Sequence, residues 1–134
     1  MKIRRLHEDD WKFLPSWWQA YGQEVPERSF LPNNGLGGFI IESQPDRTPI
    51  AAHFLWTTNS DTCIPAVLIS DRFYRDTDKQ LALQKLIDFT VDFGFELGNK
   101  FAFSWAKPEI LLEKYEKTGF SKDKSPSYEL ILKY

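Results

Sequence analysis

The chain has 134 residues, of which 42% are apolar and 27% charged, a composition that excludes wholesale disorder and predicts one folded domain over residues 1–134. The 17 basic and 19 acidic residues give a formal net charge of −2, which disfavours nucleic acid as a partner. A single cysteine excludes an internal disulfide, and with only two histidines we expect no metal site.

Hydrophobic patterning gives no indication of a membrane protein. The first eight residues turn polar before an apolar signal-peptide region forms, and no run approaches the ~18 apolar residues that a membrane span needs. We therefore expect a cytoplasmic protein without a membrane partner. Aromatic residues make up 16% of the chain, which predicts a bulky core with rings left over to line a cavity.

The first third of the sequence predicts a strand, a broken helix and an irregular segment. Lys2 to Leu6 is typical of a short strand. Asp9 and Asp10 are candidate N-caps for a helix whose large apolar residues recur at intervals of three and four, and Pro15 predicts a break or a restart within it. Prolines, asparagines and glycines then punctuate residues 22–38, which we expect to be irregular.

Three strands and a long helix follow. The apolar runs at Phe39–Glu42, Ile50–Thr58 and Cys63–Ser70 are separated by turn residues, a pattern that predicts an antiparallel meander. A helical apolar stripe runs from Lys79 to about Leu97, with a capping-box pattern before it and Gly98 after it.

The last third predicts two more strands around a short helix. Phe101 to Trp105 is a compact apolar strand, and because a helix separates it from the preceding strand, the two can run parallel. A helix over Glu109 to Lys117 begins behind Pro108 and ends at Gly119. The segment Tyr128 to Leu132 is typical of a final strand.

This element order resembles the GNAT superfamily of N-acetyltransferases. Three stretches carry the resemblance: the opening MKIRRLHEDDW, the pair AVLISD and RFYRDTDKQLALQKLIDF, and LLEKYEKTGF near the end. Residues 16–43 are also similar to small GNAT-like proteins from phages and marine sequences. The resemblance implies an α+β fold with a mixed, mostly antiparallel sheet of about six strands. Helices would cover both faces of the sheet, and its two central parallel strands would splay into a V.

The resemblance also implies an activity, the transfer of an acetyl group from acetyl-CoA to a small-molecule or peptide amine. The cofactor would lie in the V, where backbone amides of Val67, Leu68 and Ile69 would meet the pantetheine and the thioester carbonyl. Such amides stabilise the oxyanion that develops when an amine attacks. A fully paired buried strand is an equally good interpretation of this apolar run.

The start of the long helix departs from the family pattern. The pyrophosphate loop of the family reads Gln/Arg-x-x-Gly-x-Gly/Ala, and by this resemblance the cofactor-binding residues here would be Arg75, Thr77, Asp78, Lys79, Gln80 and Leu81. Asp78 stands where the first glycine belongs, and its carboxylate, with that of Asp76, opposes a bound anion at the helix N-terminus. We therefore expect a weakened pyrophosphate site. The alternative function is a degenerate GNAT-fold binding protein that has lost this site.

The resemblance assigns Tyr115 as the acid that protonates the departing thiolate, with a core aromatic as the alternative interpretation. Pro108 occupies a position at which the family often has an asparagine. No carboxylate lies on the strand Cys63–Ser70, so His53 is the candidate proton relay, against the alternative of a buried, hydrogen-bonded histidine. Glu42 and Asp71 are weaker candidates.

The candidate acceptor-side residues belong to the first helix and to the segment that follows it: Trp17, Trp18, Tyr21, Asn33 and Asn34. Adjacent residues on a helix point about 100° apart. We therefore expect one tryptophan in the core and the other at a cavity rim or in a homodimer contact. The two asparagines are alternatively turn formers.

Overall fold

The computed structural model describes residues 1–75, 77–107 and 109–134. Asp76 and Pro108, two positions at which the sequence departs from the GNAT pattern, lie outside the described residues. The described strands are β1 (Lys2–Arg5), β2 (Gly38–Glu42), β3 (Pro49–Thr57), β4 (Thr62–Ser70) and β5 (Phe101–Ala102). The α-helices are α1 (Leu14–Ala20), α2 (Lys79–Glu96) and α3 (Glu109–Thr118). Within these residues, no helix combines the length and apolar character required to cross a bilayer.

The five strands form one mixed sheet in the order β1-β2-β3-β4-β5. The first four strands are antiparallel neighbours, which confirms the predicted meander. Strand β5 pairs parallel to β4, as the intervening helix α2 predicted. The sequence is therefore folded into the α+β architecture that its element order indicated.

Helical elements cover both faces of the sheet, as predicted. On one face, α1 and the irregular segment pack on alternate residues of the central strands, including Ile40 and Phe54. On the other face, Leu83 and Leu86 of α2 pack on the opposite set, including Ile41. This two-sided burial follows from the period-2 alternation of strand side chains.

The predicted final strand at Tyr128–Leu132 is wrong, and the described sheet has five strands instead of about six. Residues 121–134 contain neither helix nor strand, and all of their side chains are exposed. Alternating apolar residues favour a strand only where a neighbouring edge supplies hydrogen bonds. Here the neighbouring edge strand, β5, is two residues long, whereas Phe101–Trp105 was predicted.

The first helix restarts near Pro15, as predicted. A 3-10 turn spans Glu8–Lys12, and α1 begins at Leu14 with Pro15 in its first turn. Asp10 is not the N-cap, because His7 precedes the turn and donates its backbone N–H to the Asp10 carboxylate (2.7 Å).

The two adjacent tryptophans were expected to divide between the core and a cavity rim or a homodimer contact, and both side chains have little exposed surface. Trp17 and Trp18 are 6% and 4% exposed. Trp17 packs on Phe13, with ring centroids 5.0 Å apart, and Trp18 stacks between Trp11 and Phe54. Side chains on two sides of α1 are buried because the 3-10 turn, the irregular segment and the sheet together enclose this helix.

We expect the substitution Gly38→Ala to destabilise the fold strongly. A Cβ at Gly38 would lie 2.3 Å from the backbone carbonyl oxygen of His53 on β3, and neither strand can shift without breaking its ladder. The free energy of unfolding, measured by urea denaturation, should fall by about 3 kcal/mol. In the control Gly22→Ala the new Cβ meets open space, and a loss of about 1 kcal/mol from the positive φ of Gly22 is expected. Equal losses in the two variants would contradict this explanation.

Candidate functional site

Strands β4 and β5 part after a short paired segment. Only the register pairs Thr62–Phe101 and Cys63–Ala102 join them as strands. The Phe103 amide then donates to the Cys63 carbonyl (2.9 Å), and the Ser104 hydroxyl donates to the Pro65 carbonyl (2.5 Å). From Val67 onward, β4 has β3 on one side and a cleft on the other. The two parallel strands therefore form a wedge.

A β-bulge lies on β4 where the wedge opens. His53 pairs with Leu68 and Phe54 pairs with Ala66, so Val67 is the extra residue and has no partner in the β3 register. Val67 has a φ of 60°, which is unusual and costly for a β-branched residue. Such strain persists only where the surrounding structure imposes it, and it is concentrated at functional sites. The bulge turns the backbone of β4 at the mouth of the cleft.

The cleft consists of three adjoining cavities. The α2 cavity, about 240 Å³, lies between β4 and α2, and its polar lining includes Tyr21, Gln23, Ser70, Lys79, Gln80 and Lys107. The central cavity, about 360 Å³, lies between Val67–Ile69 and the segment 105–107, with Leu111 and Tyr115 of α3 against it. The aromatic cavity, about 490 Å³, has Trp18, Phe30, Leu31, Phe103, Trp105 and Tyr128 in its lining.

These cavities form a continuous path because neighbours share residues. Leu68, Ile69 and Lys107 line both the α2 cavity and the central cavity. Trp18, Val67 and Trp105 line both the central cavity and the aromatic cavity. The path leads from the N-terminal end of α2, through the wedge, to the aromatic cavity.

The α2 cavity has a cationic lining. Among the residues that the structure describes there, the charged ones are Lys79 and Lys107, and no carboxylate is present. The Lys79 ammonium donates to the Asp71 carbonyl (2.8 Å), which holds it near the first turn of α2. Together with the positive end of the helix dipole, this arrangement suits a phosphate group.

Tyr115 and His53 meet beneath the central cavity. The Tyr115 hydroxyl lies 2.7 Å from Nε2 of His53, and both residues are buried. Burial lowers the pKa of His53 to about 3, so its imidazole is neutral at physiological pH. Burial also raises the pKa of Tyr115, against the opposing effect of a hydrogen bond with Ser104, so the phenol keeps its proton. The pair thus presents a protonated hydroxyl to the cavity.

Several solved structures similar to this chain are named as acetyltransferases. The chain is similar over 98% of its length to 96% of an aminoglycoside acetyltransferase, meta-AAC0020, from an uncultured soil metagenomic sample (19% identity, TM-score 0.66). A structure of the protein TTHA1254 from Thermus thermophilus is similar to the whole of this chain, and the match covers 99% of that protein (19% identity, TM-score 0.71). N-acetylglutamate synthase from Neisseria gonorrhoeae, solved with coenzyme A and N-acetyl-glutamate, is also similar (19% identity, TM-score 0.69). The match covers 90% of this chain and 28% of the synthase chain.

The chain has the GNAT fold. No protein-family model and no curated protein matches the sequence. The similarity to these structures therefore lies in the arrangement of strands, helices and wedge, since the sequence identity is below 20%.

Most of the residues predicted for a GNAT cofactor site lie along the cleft. Val67, Leu68 and Ile69 line the central cavity, and Lys79 and Gln80 line the α2 cavity. Four further predicted residues, which flank the helix start, are exposed: Arg75, Thr77, Asp78 and Leu81. Asp78 is the N-cap residue of α2, one position after the threonine of the predicted capping box.

The predicted acceptor residues of the GNAT site are dispersed. Trp18 lines the central and aromatic cavities, whereas Tyr21 lines the α2 cavity, where its hydroxyl lies 3.1 Å from that of Ser70. Trp17 is packed in the core against Phe13. Asn33 and Asn34 adopt φ values of 49° and 52° in an exposed turn, the conformation expected of turn formers.

Three polar residues of the central cavity were not among the predicted site residues: Gln23, Lys107 and Glu129. Gln23 and Lys107 come from irregular segments without a motif, and Glu129 lies on the segment Tyr128–Leu132, which was predicted as a strand. The weaker base candidates lie elsewhere, since Glu42 accepts hydrogen bonds from Arg4 and Arg47, and the Asp71 side chain accepts from the Phe73 amide. Cys63 is a buried core residue whose thiol pKa is raised by burial.

Proposed function

We propose that this chain is an N-acetyltransferase that moves an acetyl group from acetyl-CoA to an amine. The wedge between β4 and β5, with the Val67 bulge at its mouth, is the observation that carries the proposal. Along an open strand edge, N–H groups have no partner on a neighbouring strand and can bind a pantetheine chain and a thioester carbonyl. The names of similar structures, an aminoglycoside acetyltransferase and an N-acetylglutamate synthase among them, support the same reaction class.

The residues along the cleft fit acetyl-CoA in charge and order. Lys79, Lys107 and the N-terminus of α2 would bind the diphosphate, and the backbone of Val67–Ile69 would bind the pantetheine. Bound there, acetyl-CoA supplies an acetyl group activated as a thioester. The carboxylate of Asp78 at the helix N-terminus opposes the diphosphate and weakens this binding.

The transfer delivers one proton to the sulfur and removes two protons from the ammonium nitrogen, one before attack and one after it. The amine nitrogen forms a bond to the acetyl carbon, and the carbon–sulfur bond breaks. Tyr115, which stays protonated, gives its proton to the departing sulfur. Before attack the amine must lose the proton that makes it an ammonium ion at neutral pH. His53 is buried and bonded to Tyr115, and it cannot meet the amine directly.

A second function is a GNAT-fold binding protein without a cofactor. Asp78, at the position where the family pattern has a glycine, is the observation that favours it. The two functions differ in one measurable property, which is the affinity for acetyl-CoA.

Calorimetric titration of the chain with acetyl-CoA tests the proposal. We expect binding, and we expect Asp78→Asn to tighten it roughly 2- to 5-fold, because this variant removes the opposing charge and keeps a good N-cap residue. Asp92→Asn removes the same charge from the exposed surface of α2, two turns or more from its N-terminus, and should leave the affinity unchanged. No heat with millimolar acetyl-CoA in either the parent chain or Asp78→Asn would contradict the acetyltransferase and support the binding protein.

A further inference from the structure

The aromatic cavity has the size and the walls of a small-molecule site. Its volume of about 490 Å³ falls within the range that suits a drug-sized ligand. Trp18 is held rigidly between Trp11 and Phe54, and Phe30 and Trp105 both contact Trp56, with centroid distances of 6.1 and 5.8 Å. Fixed rings bind a flat apolar group at little entropic cost.

Several rings of this cavity are exposed to solvent. Phe30 is 45% exposed, Phe103 61% and Tyr128 92%. Contiguous exposed apolar surface on a small protein marks a binding site, because its burial releases water at a gain in free energy. These rings surround the end of the cleft that adjoins the wedge.

The charge of the aromatic cavity is negative. Among the described lining residues, the charged ones are Glu24 and Glu129, and no lysine or arginine is present. Both side chains are exposed at the cavity rim, where a pair of carboxylates attracts a cation and repels a carboxylate ligand. The cavity therefore selects an ammonium group on an apolar body.

Glu129 occupies the junction with the wedge. It lines both the aromatic cavity and the central cavity, and in the described lining of the central cavity it is the one carboxylate. Tyr115 and Val67 line the same central cavity. A group at this junction reaches both an ammonium held by the rings and the space in which the acetyl group would lie.

We propose that the aromatic cavity binds a primary amine carried on a flat, apolar body, and that Glu129 accepts the proton of its ammonium group. This inference rests on the proposed function for its chemical step, and on the cavity alone for binding. In that step the ammonium N–H bond breaks, its proton passes to a Glu129 oxygen, and the freed electron pair forms the bond to the acetyl carbon. The C–S bond then breaks as Tyr115 protonates the sulfur, and the second proton that the acylated nitrogen loses restores the Tyr115 hydroxyl.

Binding is tested without acetyl-CoA, through the emission of the tryptophans that line the cavity. We expect 2-phenylethylamine to bind about 30-fold more tightly than ethanolamine, which lacks the ring. It should bind about 10-fold more tightly than 2-phenylethanol, which lacks the charge. Equal affinity for 2-phenylethylamine and ethanolamine, or for 2-phenylethylamine and 2-phenylethanol, would overturn the proposed ligand class.

Two phenylalanines of nearly equal exposure give a matched pair of variants. Phe30, 45% exposed, lines the cavity, and Phe95, 43% exposed, lies on α2. Phe30→Ala should weaken 2-phenylethylamine binding about 10-fold, whereas Phe95→Ala should leave it unchanged. Equal effects of the two variants would place the amine elsewhere and overturn the assignment of this cavity.

The role of Glu129 is tested by the pH profile of acetyl transfer to 2-phenylethylamine. Glu129→Gln should lower kcat about 100-fold at pH 7 and should recover as the pH approaches the pKa of the free amine. Glu129→Asp should keep most of the activity. Asp123→Asn, a control on the same segment, should keep all of the activity. A Glu129→Gln profile parallel to that of the parent chain would overturn the role of Glu129 as base.

The two proposals fail in different ways. If acetyl-CoA binds and ethanolamine is acetylated as efficiently as 2-phenylethylamine, the ligand class is wrong and the acetyltransferase stands. If 2-phenylethylamine binds as expected and acetyl-CoA gives no heat, the ligand class stands and the acetyltransferase is wrong.

Discussion

Replacement of Tyr115 by phenylalanine is expected to lower kcat for acetyl transfer about 100-fold and to leave acetyl-CoA affinity within about 2-fold of the parent value. The hydroxyl contributes only when the sulfur departs, because a neutral thioester sulfur gains little from a proton donor. Its loss therefore raises the barrier of the chemical step without weakening the ground state. Such a split between kcat and binding is typical of a general acid.

The hydrogen bond to His53 explains why this phenol can act as a donor. Nδ1 of His53 is buried and has no hydrogen-bond partner among the residues that the structure describes. Orphaned buried N–H groups are rarer than under-satisfied acceptors. We infer that the proton is on Nε2, which donates to the Tyr115 oxygen, so the phenolic proton is not used in the contact with His53.

Kinetics and unfolding are measured together on Tyr115→Phe. The variant leaves Nε2 of His53 unpaired in the core, which should cost about 1–3 kcal/mol of stability, so assays belong well below its unfolding temperature. Tyr134→Phe removes an exposed hydroxyl and should change neither property. An unchanged kcat in folded Tyr115→Phe would exclude Tyr115 as the acid and leave it as a core aromatic.

The fold was predictable from the sequence wherever a local pattern decides structure. Turn residues between apolar runs fixed the hairpins, and a helical stripe with Gly98 behind it placed α2 to within a residue. The error at Tyr128–Leu132 has a non-local cause, because a strand needs an edge to pair with. The burial of both Trp17 and Trp18 is also non-local, since it depends on what encloses α1.

The candidate site was predictable only in part. The sequence motif around Tyr115 and the predicted start of the long helix at Lys79 indicated these two residues. Both line the cleft in the structure. Its contact between Tyr115 and His53 joins residues 62 positions apart, for which the sequence has no signal. Glu129 lies on Tyr128–Leu132, which was predicted as a strand, so its position at the junction of two cavities appears only in three dimensions.

Arg4→Met is expected to lower the free energy of unfolding by about 3 kcal/mol at pH 7. The Arg4 guanidinium donates two hydrogen bonds to Asp10 (2.8 and 2.9 Å) and one to Glu42 (3.2 Å). The two carboxylate side chains are 5% and 2% exposed, so removal of their shared partner leaves negative charge in a poorly solvated place. This network ties β1 to β2 and to the turn before α1, and the second contact of Glu42, with Arg47, keeps the loss at the lower end of the usual range.

The pH dependence separates this explanation from a loss of packing. Burial acts to raise the pKa of Asp10, but hydrogen bonds from Arg4 and from the His7 amide lower it below the ordinary value of 3.8. Because the folded pKa is depressed, its stabilisation is present above pH 3.8 and is lost as the pH falls through the folded value. Without Arg4, the effect of burial on the pKa of Asp10 dominates. Protonation of Asp10 at low pH then removes the unpaired buried charge that destabilises the variant.

The stability gap between the parent chain and Arg4→Met should therefore shrink as the pH falls from 7 to about 3, in urea denaturation at each pH. His53 titrates in both proteins, so its contribution cancels from the difference. Lys12→Met also removes one positive charge, but from an ion pair with Asp9 whose side chains are 80% and 86% exposed, and should cost about 0.5 kcal/mol or less at every pH. A gap that stays constant with pH would assign the effect of Arg4 to the packing of its side chain, because lost contacts, unlike unpaired carboxylates, take up no proton.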